Sequence, residues 1–326
     1  MKVTASLPTG VAALLFDSAR HRRRLEGEMV ESLERADFTE VVLPVVDYLE
    51  PYDAMLSETS RAELYRFVDR DGAMLALRAD FTPMLARLLA PHLDASRTDD
   101  LPLRVFYRGD VLRYQEERAG RQRELYQLGA EILGAEGEKA EAEALLRFLE
   151  LLAVGERSRL TVVVGFAGAL DRLLMDRFDD RAEAIRLVDA IVRRERHPAR
   201  TAGEGLLQVV QHGVPDDPEV LGTESAAHLR RLGALLEDLQ ARFPAITLRL
   251  DLAEFADQVT TPELVEVIGA RAYYDGVVFR AFTDRSAEPV GNGGRYDRLF
   301  ERLGARITAC GFSFSLDRLV GRGRPS

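Results

Sequence analysis

Three polar side chains recur on one side of a predicted strand hairpin and could together bind a small zwitterion. The stretch Arg104 to Gly134 begins with β-branched and aromatic residues and ends in an alternating run, which is the pattern of two strands. Arg113 lies in the first strand, and Gln127 and Glu131 share one face of the second. An arginine can bind a carboxylate with two hydrogen bonds, and a glutamate can bind an ammonium. A solvated, salt-bridged face, or a direct Arg113–Glu131 ion pair, would give the same pattern.

A second group of polar residues lies where a strand passes into a helix. Thr82 is predicted as the N-cap of a helix that continues to Ala90, with Pro83 at its first position. Asp80 is consistent with a cap or a loop residue. Arg78, at the end of the preceding strand, is not explained by helix capping.

The remaining pattern predicts the elements that position these residues. Helices are expected at 11–36, 82–90 and 136–152 and from Pro262 onward, and strands at 38–43, 64–68, 74–78, 160–164, 246–252 and 272–282. Asp69 to Gly72 is typical of a hairpin turn, and Val290 to Tyr296 of a glycine-rich turn. Ile307 to Leu319 is predicted as a strand leading into a helix, and residues 166–245 as a helical insertion.

Composition restricts the class of protein. The chain of 326 residues has 44 basic and 54 acidic side chains, a net charge of −10 that argues against a general nucleic-acid binder. Its single cysteine, Cys310, excludes an internal disulfide and suggests a small packed residue in a reducing, cytoplasmic setting. No apolar run approaches the roughly 18 residues of a membrane span. His197 and His212 lack suitably spaced partners, so neither a metal site nor a cofactor is predicted.

Six separated segments together resemble the class II aminoacyl-tRNA synthetase core of the histidyl type. They are Phe38–Pro44, Arg78–Thr82, Arg104–Gly134, Tyr273–Tyr274, Gly293–Asp297 and Gly311–Leu319. The resemblance implies an α+β fold with a mostly antiparallel sheet flanked by helices and interrupted by the helical insertion. It also implies dimerisation through the first segment, Phe38–Pro44.

The resemblance also implies a set of histidine ligands. Asp80 and Glu131 would face the ammonium, Arg113 the carboxylate, Thr82 and Gln127 would hydrogen-bond the amino acid, and Tyr273 and Tyr274 would form the wall around the imidazole. Because strand side chains alternate, one of the two tyrosines is expected in the core. Arg121, Arg123 and Arg318 are the candidate remnant of a nucleotide site. A solvated edge for the first two, and a salt bridge to Asp317 for Arg318, are the alternatives.

Departures from the synthetase pattern concern adenylation and tRNA binding. The chain ends soon after the last segment, where a histidyl-tRNA synthetase has an anticodon-binding domain. Gly269 stands where the synthetases have an arginine, Gln115 where they have a glutamate, and Ser315 where they have a glycine; Ala79–Phe81 replaces Pro-Glu-Gly. The pattern resembles the family of ATP phosphoribosyltransferase regulatory subunits. That resemblance implies a chain without chemistry of its own, with no tRNA partner. It would be required by a short-form catalytic subunit and would convey feedback by histidine.

Two other functions fit the same residues. One is a truncated histidyl-tRNA synthetase or another histidine-adenylating enzyme, which would catalyse histidine-dependent pyrophosphate exchange. The other is a synthetase-like adaptor that acts on another protein.

Overall fold

The fold is built on strands from both ends of the chain. A computed structural model describes residues 7–56, 58–93, 101–114, 122–155, 159–175, 181–268, 273–284, 286 and 288–320. The strands are β1 (Thr39–Glu40), β2 (Val46–Tyr48), β3 (Arg66–Val68), β4 (Met74–Leu77), β5 (Leu103–Leu112), β6 (Glu124–Leu133), β7 (Leu160–Phe166), β8 (Ile246–Leu250), β9 (Val277–Thr283), β10 (Gly291–Arg295) and β11 (Ala309–Ser315).

Helices cover the sheet and fill the long connection between β7 and β8. They are α1 (Phe16–Arg35), α2 (Glu50–Met55), α3 (Glu58–Ala62), α4 (Thr82–Leu89), α5 (Gly137–Gly155), α6 (Asp171–Met175), α7 (Arg181–Val192), α8 (Arg196–Ala202), α9 (Glu204–His212), α10 (Thr223–Arg242), α11 (Pro262–Ile268), α12 (Asp297–Arg302) and α13 (Leu316–Val320). Within the described part of the chain, none of these helices has both the length and the apolar character needed to cross a bilayer.

Eight strands form one large sheet in the order β1-β5-β6-β11-β10-β9-β7-β8. Only the outer pairs β1–β5 and β7–β8 are parallel, and the other neighbours are antiparallel. The predicted α+β fold with a mostly antiparallel sheet is therefore confirmed. β11 joins two halves of this sheet, because it pairs with β6 on one side and β10 on the other.

The central hairpin β5–β6 forms where the alternating pattern predicts it. Leu128, Ala130 and Ile132 are fully buried on one face of β6 and belong to the main core. Gln127 and Glu131 lie on the opposite face, as predicted, and Glu131 pairs in register with Val105 of β5. The polar face of β6 is therefore turned away from the main core and towards the candidate site.

A small sheet, β2-β4-β3, lies beside the hairpin. Its β3–β4 turn confirms the turn predicted at Asp69 to Gly72, with Gly72 at φ +92° and the Asp71 carboxylate accepting a hydrogen bond from the amide of Ala73. Arg78 follows β4 and is only 3% exposed. Its guanidinium donates to the carbonyl oxygens of Leu43, Pro44 and Asp110, which explains its presence at the strand end.

The helices between β7 and β8 share the core of the large sheet. Leu187 of α7, Val209 of α9 and Leu232 of α10 belong to the same buried cluster as Phe279 of β9. The limits 166–245 of an insertion stay a prediction, since these helices do not form a separate core.

The first helix, the first strand and the glycine-rich segment differ from their predictions. The first helix begins at Phe16 rather than Val11, because Leu15 is 61% exposed and supplies no packing for an earlier turn. The first strand is limited to β1, since Val42 projects into solvent at 89% exposure. The glycine-rich segment forms β10 instead of a turn. Its glycines are needed there because a Cβ at Gly293 would lie 2.6 Å from the Phe279 ring.

Candidate ligand-binding site

A cavity of about 490 Å³ lies where β6, β10, β11, α4 and α12 meet. Six of the seven predicted histidine ligands line it: Asp80, Thr82, Arg113, Glu131, Tyr273 and Tyr274. Gln127 is the exception. It pairs in register with Ser315, whereas the cavity reaches only Gly311 to Ser313 of β11. Gln127 is 7% exposed, and its Oε1 has no hydrogen-bond partner among the described residues.

Glu131 is a buried carboxyl surrounded by hydroxyl groups. It is 1% exposed and accepts hydrogen bonds from Thr82 Oγ1 at 2.8 Å, from the Tyr107 hydroxyl at 3.1 Å and from the Tyr296 hydroxyl. Burial raises the pKa of Glu131 to about 8, although these hydrogen bonds act in the opposite direction. Burial therefore favours the uncharged form of Glu131.

A glycine on the neighbouring strand makes room for this carboxyl. Gly311 of β11 pairs in register with Glu131, and a Cβ at that position would overlap the Glu131 carboxyl group. Gly311, the first residue of the Gly311–Leu319 segment, therefore has to be a glycine, because the Glu131 side chain of β6 occupies the space that a Cβ would need.

Asp80 and Arg113 form an ion pair on a more exposed part of the cavity wall. Arg113 Nη2 lies 3.1 Å from Asp80 Oδ2, and the two side chains are 28% and 40% exposed. Arg113 Nε also donates to the Ala79 carbonyl at 2.8 Å. The alternative of an Arg113–Glu131 pair is therefore wrong. A positive and a negative group side by side suit the two charged ends of a free amino acid.

Thr82 does not cap its helix. α4 begins at Thr82 itself, and the preceding residue, Phe81, makes no side-chain cap. The predicted N-cap is wrong because Thr82 Oγ1 donates to Glu131, while the Asp80 carboxylate accepts from the Thr82 amide at 3.2 Å. Thr82 thus acts on the cavity rather than on the helix end.

Tyr273 and Tyr274 both line the cavity. The strand predicted from residue 272 begins only at Val277, so the two side chains do not alternate across a sheet, and both line the cavity while packing against a core cluster. Their rings are perpendicular at 4.9 Å, and the Tyr273 ring lies 5.4 Å from that of Tyr296. Between the two tyrosines and β9, the Asp275 carboxylate accepts hydrogen bonds from the amides of Asp297 and Arg298 at the start of α12.

Among the other residues that line the cavity, Tyr107, Tyr296 and Asn292 were not predicted as ligands. The pairing of a large aromatic residue with a glycine across the hairpin could have pointed to Tyr107. It lies opposite Gly129, and its ring occupies the space above that glycine. Asn292 Nδ2 donates to the Tyr274 hydroxyl at 3.1 Å, a contact that depends on β10 being a strand.

Two arginines of the candidate nucleotide remnant, Arg123 and Arg318, are not among the residues that line this cavity. The Arg123 guanidinium lies 5.0 Å from the centre of the Tyr114 ring, and Arg318 donates to the Pro289 carbonyl at 2.9 Å. The alternative partner of Arg318, Asp317, pairs instead with Arg22 at 3.0 Å. Arg121, Gln115 and Gly269 lie outside the described residues.

The raised pKa of Glu131 gives a prediction about stability. The folded-state value of about 8 exceeds the unfolded value of about 4.3, so the contribution to stability is complete below the unfolded pKa and is lost as pH rises towards 8. Glu131→Gln cannot ionise. We expect the free energy of unfolding of Glu131→Gln, taken relative to that of the wild type, to rise by roughly 3 kcal/mol between about pH 5.5 and pH 8, as measured by urea unfolding. Glu136→Gln, at an exposed position, is the control, and a difference independent of pH would contradict the prediction.

Comparison with known proteins gives a consistent assignment. The histidyl-tRNA synthetase family matches residues 10–319. The chain is 34% identical to an ATP phosphoribosyltransferase regulatory subunit of Symbiobacterium thermophilum, over 96% of this chain and 79% of that one. It is 30% identical to a histidine–tRNA ligase of Thermococcus kodakarensis, over 95% of this chain and 72% of that one.

A solved structure shows the same fold. It is an ATP phosphoribosyltransferase regulatory subunit/histidyl-tRNA synthetase from Bacillus halodurans, with a TM-score of 0.78 at 23% identity, covering 98% of this chain and 83% of that one. The chain therefore belongs to the histidyl-tRNA synthetase family, in the group of synthetase-like proteins that includes the ATP phosphoribosyltransferase regulatory subunits.

Proposed function

We propose that this chain is a regulatory subunit of ATP phosphoribosyltransferase, acts in the cytoplasm, and has no catalytic activity of its own. A short-form catalytic subunit would require it for the first step of histidine biosynthesis, and histidine would inhibit the complex through it. The main support is a cavity lined by six of the residues expected to bind histidine, in a chain 34% identical to a protein of that name.

The cavity wall offers a partner for each part of a histidine molecule. Arg113 is available to the carboxylate, Asp80 and Glu131 to the ammonium, and the Tyr273 and Tyr274 rings to the imidazole. Asp80 and Arg113 neutralise each other across the cavity wall. A bound zwitterion would replace that contact with two new ones, so that no charge is buried without a partner.

Feedback then follows from linkage. If histidine binds the less active state of the complex more tightly than the active state, it raises the population of the less active state and lowers the activity.

We also propose dimerisation through the segment Phe38–Pro44. It is supported by apolar side chains exposed in and after this segment, among them Val42 at 89% and Val45 at 45%.

A histidine-adenylating enzyme is the second candidate, because the chain is also 30% identical to a histidine–tRNA ligase. The departures from the synthetase pattern at Gln115, Gly269 and Ser315 support the regulatory function instead. No tRNA partner and no cofactor are expected.

Reconstitution tests the proposal. Mixing the chain with a short-form catalytic subunit from the same organism should restore the transfer of a phosphoribosyl group to ATP, which neither protein catalyses alone. Histidine should suppress that activity. The chain alone should show no histidine-dependent pyrophosphate exchange. A clear exchange rate, or a catalytic subunit indifferent to the chain, would overturn the proposal.

A further inference from the structure

We propose that Asn292 is a positioning residue that turns the Tyr274 hydroxyl into a hydrogen-bond donor towards the cavity. The site would then select a ligand ring that carries an unprotonated nitrogen. This assignment rests on the proposed histidine site and concerns how that site distinguishes neutral imidazole from imidazolium.

The geometry fixes both the ring and its oxygen. The Tyr274 ring lies against the backbone of β10, where a Cβ at Gly294 would be 2.6 Å from the ring. Asn292, two residues earlier in β10, donates through Nδ2 to the phenol oxygen at 3.1 Å. Both side chains line the cavity. Tyr274 is thus held along its ring and at its hydroxyl.

The orientation of the hydroxyl hydrogen follows from that contact. A phenol O–H has one hydrogen and accepts through its lone pairs. Because Asn292 donates to the oxygen, the hydrogen of Tyr274 must point away from Asn292. Within the described parts of the chain, no acceptor is hydrogen-bonded to this hydrogen. An acceptor atom on a ligand can therefore satisfy it.

Neutral imidazole and imidazolium present different groups to such a donor. The neutral ring has one N–H and one nitrogen with a free lone pair, whereas imidazolium has two N–H groups. The Tyr274 hydroxyl complements the bare nitrogen. Against imidazolium it would place two hydrogens face to face and leave both donors without an acceptor.

Other charged groups surround Tyr274, and some oppose this preference. Arg280 of β9 and the acids Asp80 and Glu131 act on the hydroxyl electrostatically. The cavity wall also includes Glu63, Asp257, Arg113, Arg298 and Arg302. Burial raises the pKa of Tyr274 to about 12, so its hydroxyl stays protonated at neutral pH. The acids favour imidazolium and Glu131 itself titrates, so the effect of Asn292 must be measured between variants at the same pH.

The test is a double-mutant cycle followed over pH. Histidine binding is measured by calorimetry at about pH 5.5, 6.5 and 7.5 for the wild type, Asn292→Ala, Tyr274→Phe and the double variant. At the highest pH we expect each single variant to bind roughly five- to tenfold more weakly than the wild type. The double variant should bind no more weakly than Tyr274→Phe, because Asn292 acts only through that hydroxyl.

The pH profile separates positioning from a structural effect. Wild-type affinity should fall about tenfold at the lowest pH, where the histidine ring, with a pKa of about 6.5, is protonated. The fall should be smaller in Asn292→Ala, because a freed hydroxyl can turn and accept from imidazolium. A triazole analogue of histidine, whose ring stays neutral, should lose less affinity than histidine in the wild type.

Two results would overturn the assignment. One is additive losses in the double variant, and the other is a pH profile unchanged by Asn292→Ala. Urea unfolding confirms that the variants are folded, which is expected because Asn292 is exposed. Absence of histidine binding by the wild type would contradict the proposed function itself, and with it this assignment.

Discussion

Glu131→Gln is expected to weaken histidine binding by roughly 30- to 100-fold while leaving the protein folded. The substitution keeps the size of the side chain but removes the carboxyl group, which could ionise when a ligand ammonium binds beside it. Glutamine cannot ionise, so it offers the ligand one amide oxygen where glutamate can offer two charged ones. The buried position, at 1% exposure, excludes water that could compensate for the loss. Calorimetric titration of the purified variant with histidine measures the effect.

The control is Glu136→Gln, which makes the same chemical change at an exposed residue paired with Lys139. It should bind histidine like the wild type. Equal affinity in the wild type and Glu131→Gln would remove Glu131 from the binding site. The restoration of catalytic activity on mixing would still test the regulatory function independently.

Arg78→Met is expected to lower the free energy of unfolding by about 3 to 5 kcal/mol. The guanidinium donates to the carbonyls of Leu43 at 2.7 Å, Pro44 at 3.0 Å and Asp110 at 2.8 Å, and it lies 3.8 Å from the centre of the Phe81 ring. Methionine would preserve much of the apolar contact but leave three carbonyl oxygens without this donor. The site is 3% exposed, so water cannot readily replace it.

Urea unfolding of Arg78→Met measures this loss, with Arg66→Met as the matched control. Arg66 lies on the neighbouring strand β3 and is exposed, so its replacement should change stability by less than about 0.5 kcal/mol. If the two variants lost similar stability, Arg78 would not be the connection between β4, β5 and the Leu43–Pro44 segment.

Local sequence patterns correctly predicted the elements that are formed by residues close to each other in the chain. The β5–β6 and β3–β4 hairpins form as expected because alternation and turn residues act over a few positions. Glu131 was placed on the correct face for the same reason. Gln127 shares that face but lies outside the cavity wall, because the end of the cavity along β11 depends on a strand far away in sequence.

Elements that depend on distant partners were not predictable in this way. Thr82 has the sequence of a helix cap, yet its hydroxyl bonds to a carboxyl 49 positions later. β10 has little intrinsic preference for a strand, and its glycines are explained only by aromatic rings of other segments lying against it. The same applies to Asn292, whose role depends on the position of Tyr274.

The central place of β11 has a consequence for how the protein folds. Among the described strands, the two halves of the large sheet are paired to each other only through β11, which forms seven residue pairs with β6 and five with β10. The pairing of β11 with β10 spans a short connection, whereas its pairing with β6 joins residues far apart in sequence and carries the larger loop-closure cost. Glu131 belongs to one half and Asn292 to the other. The pairing of β6 with β11 therefore brings the two sides of the cavity together, and a ligand that binds in the cavity stabilises that pairing.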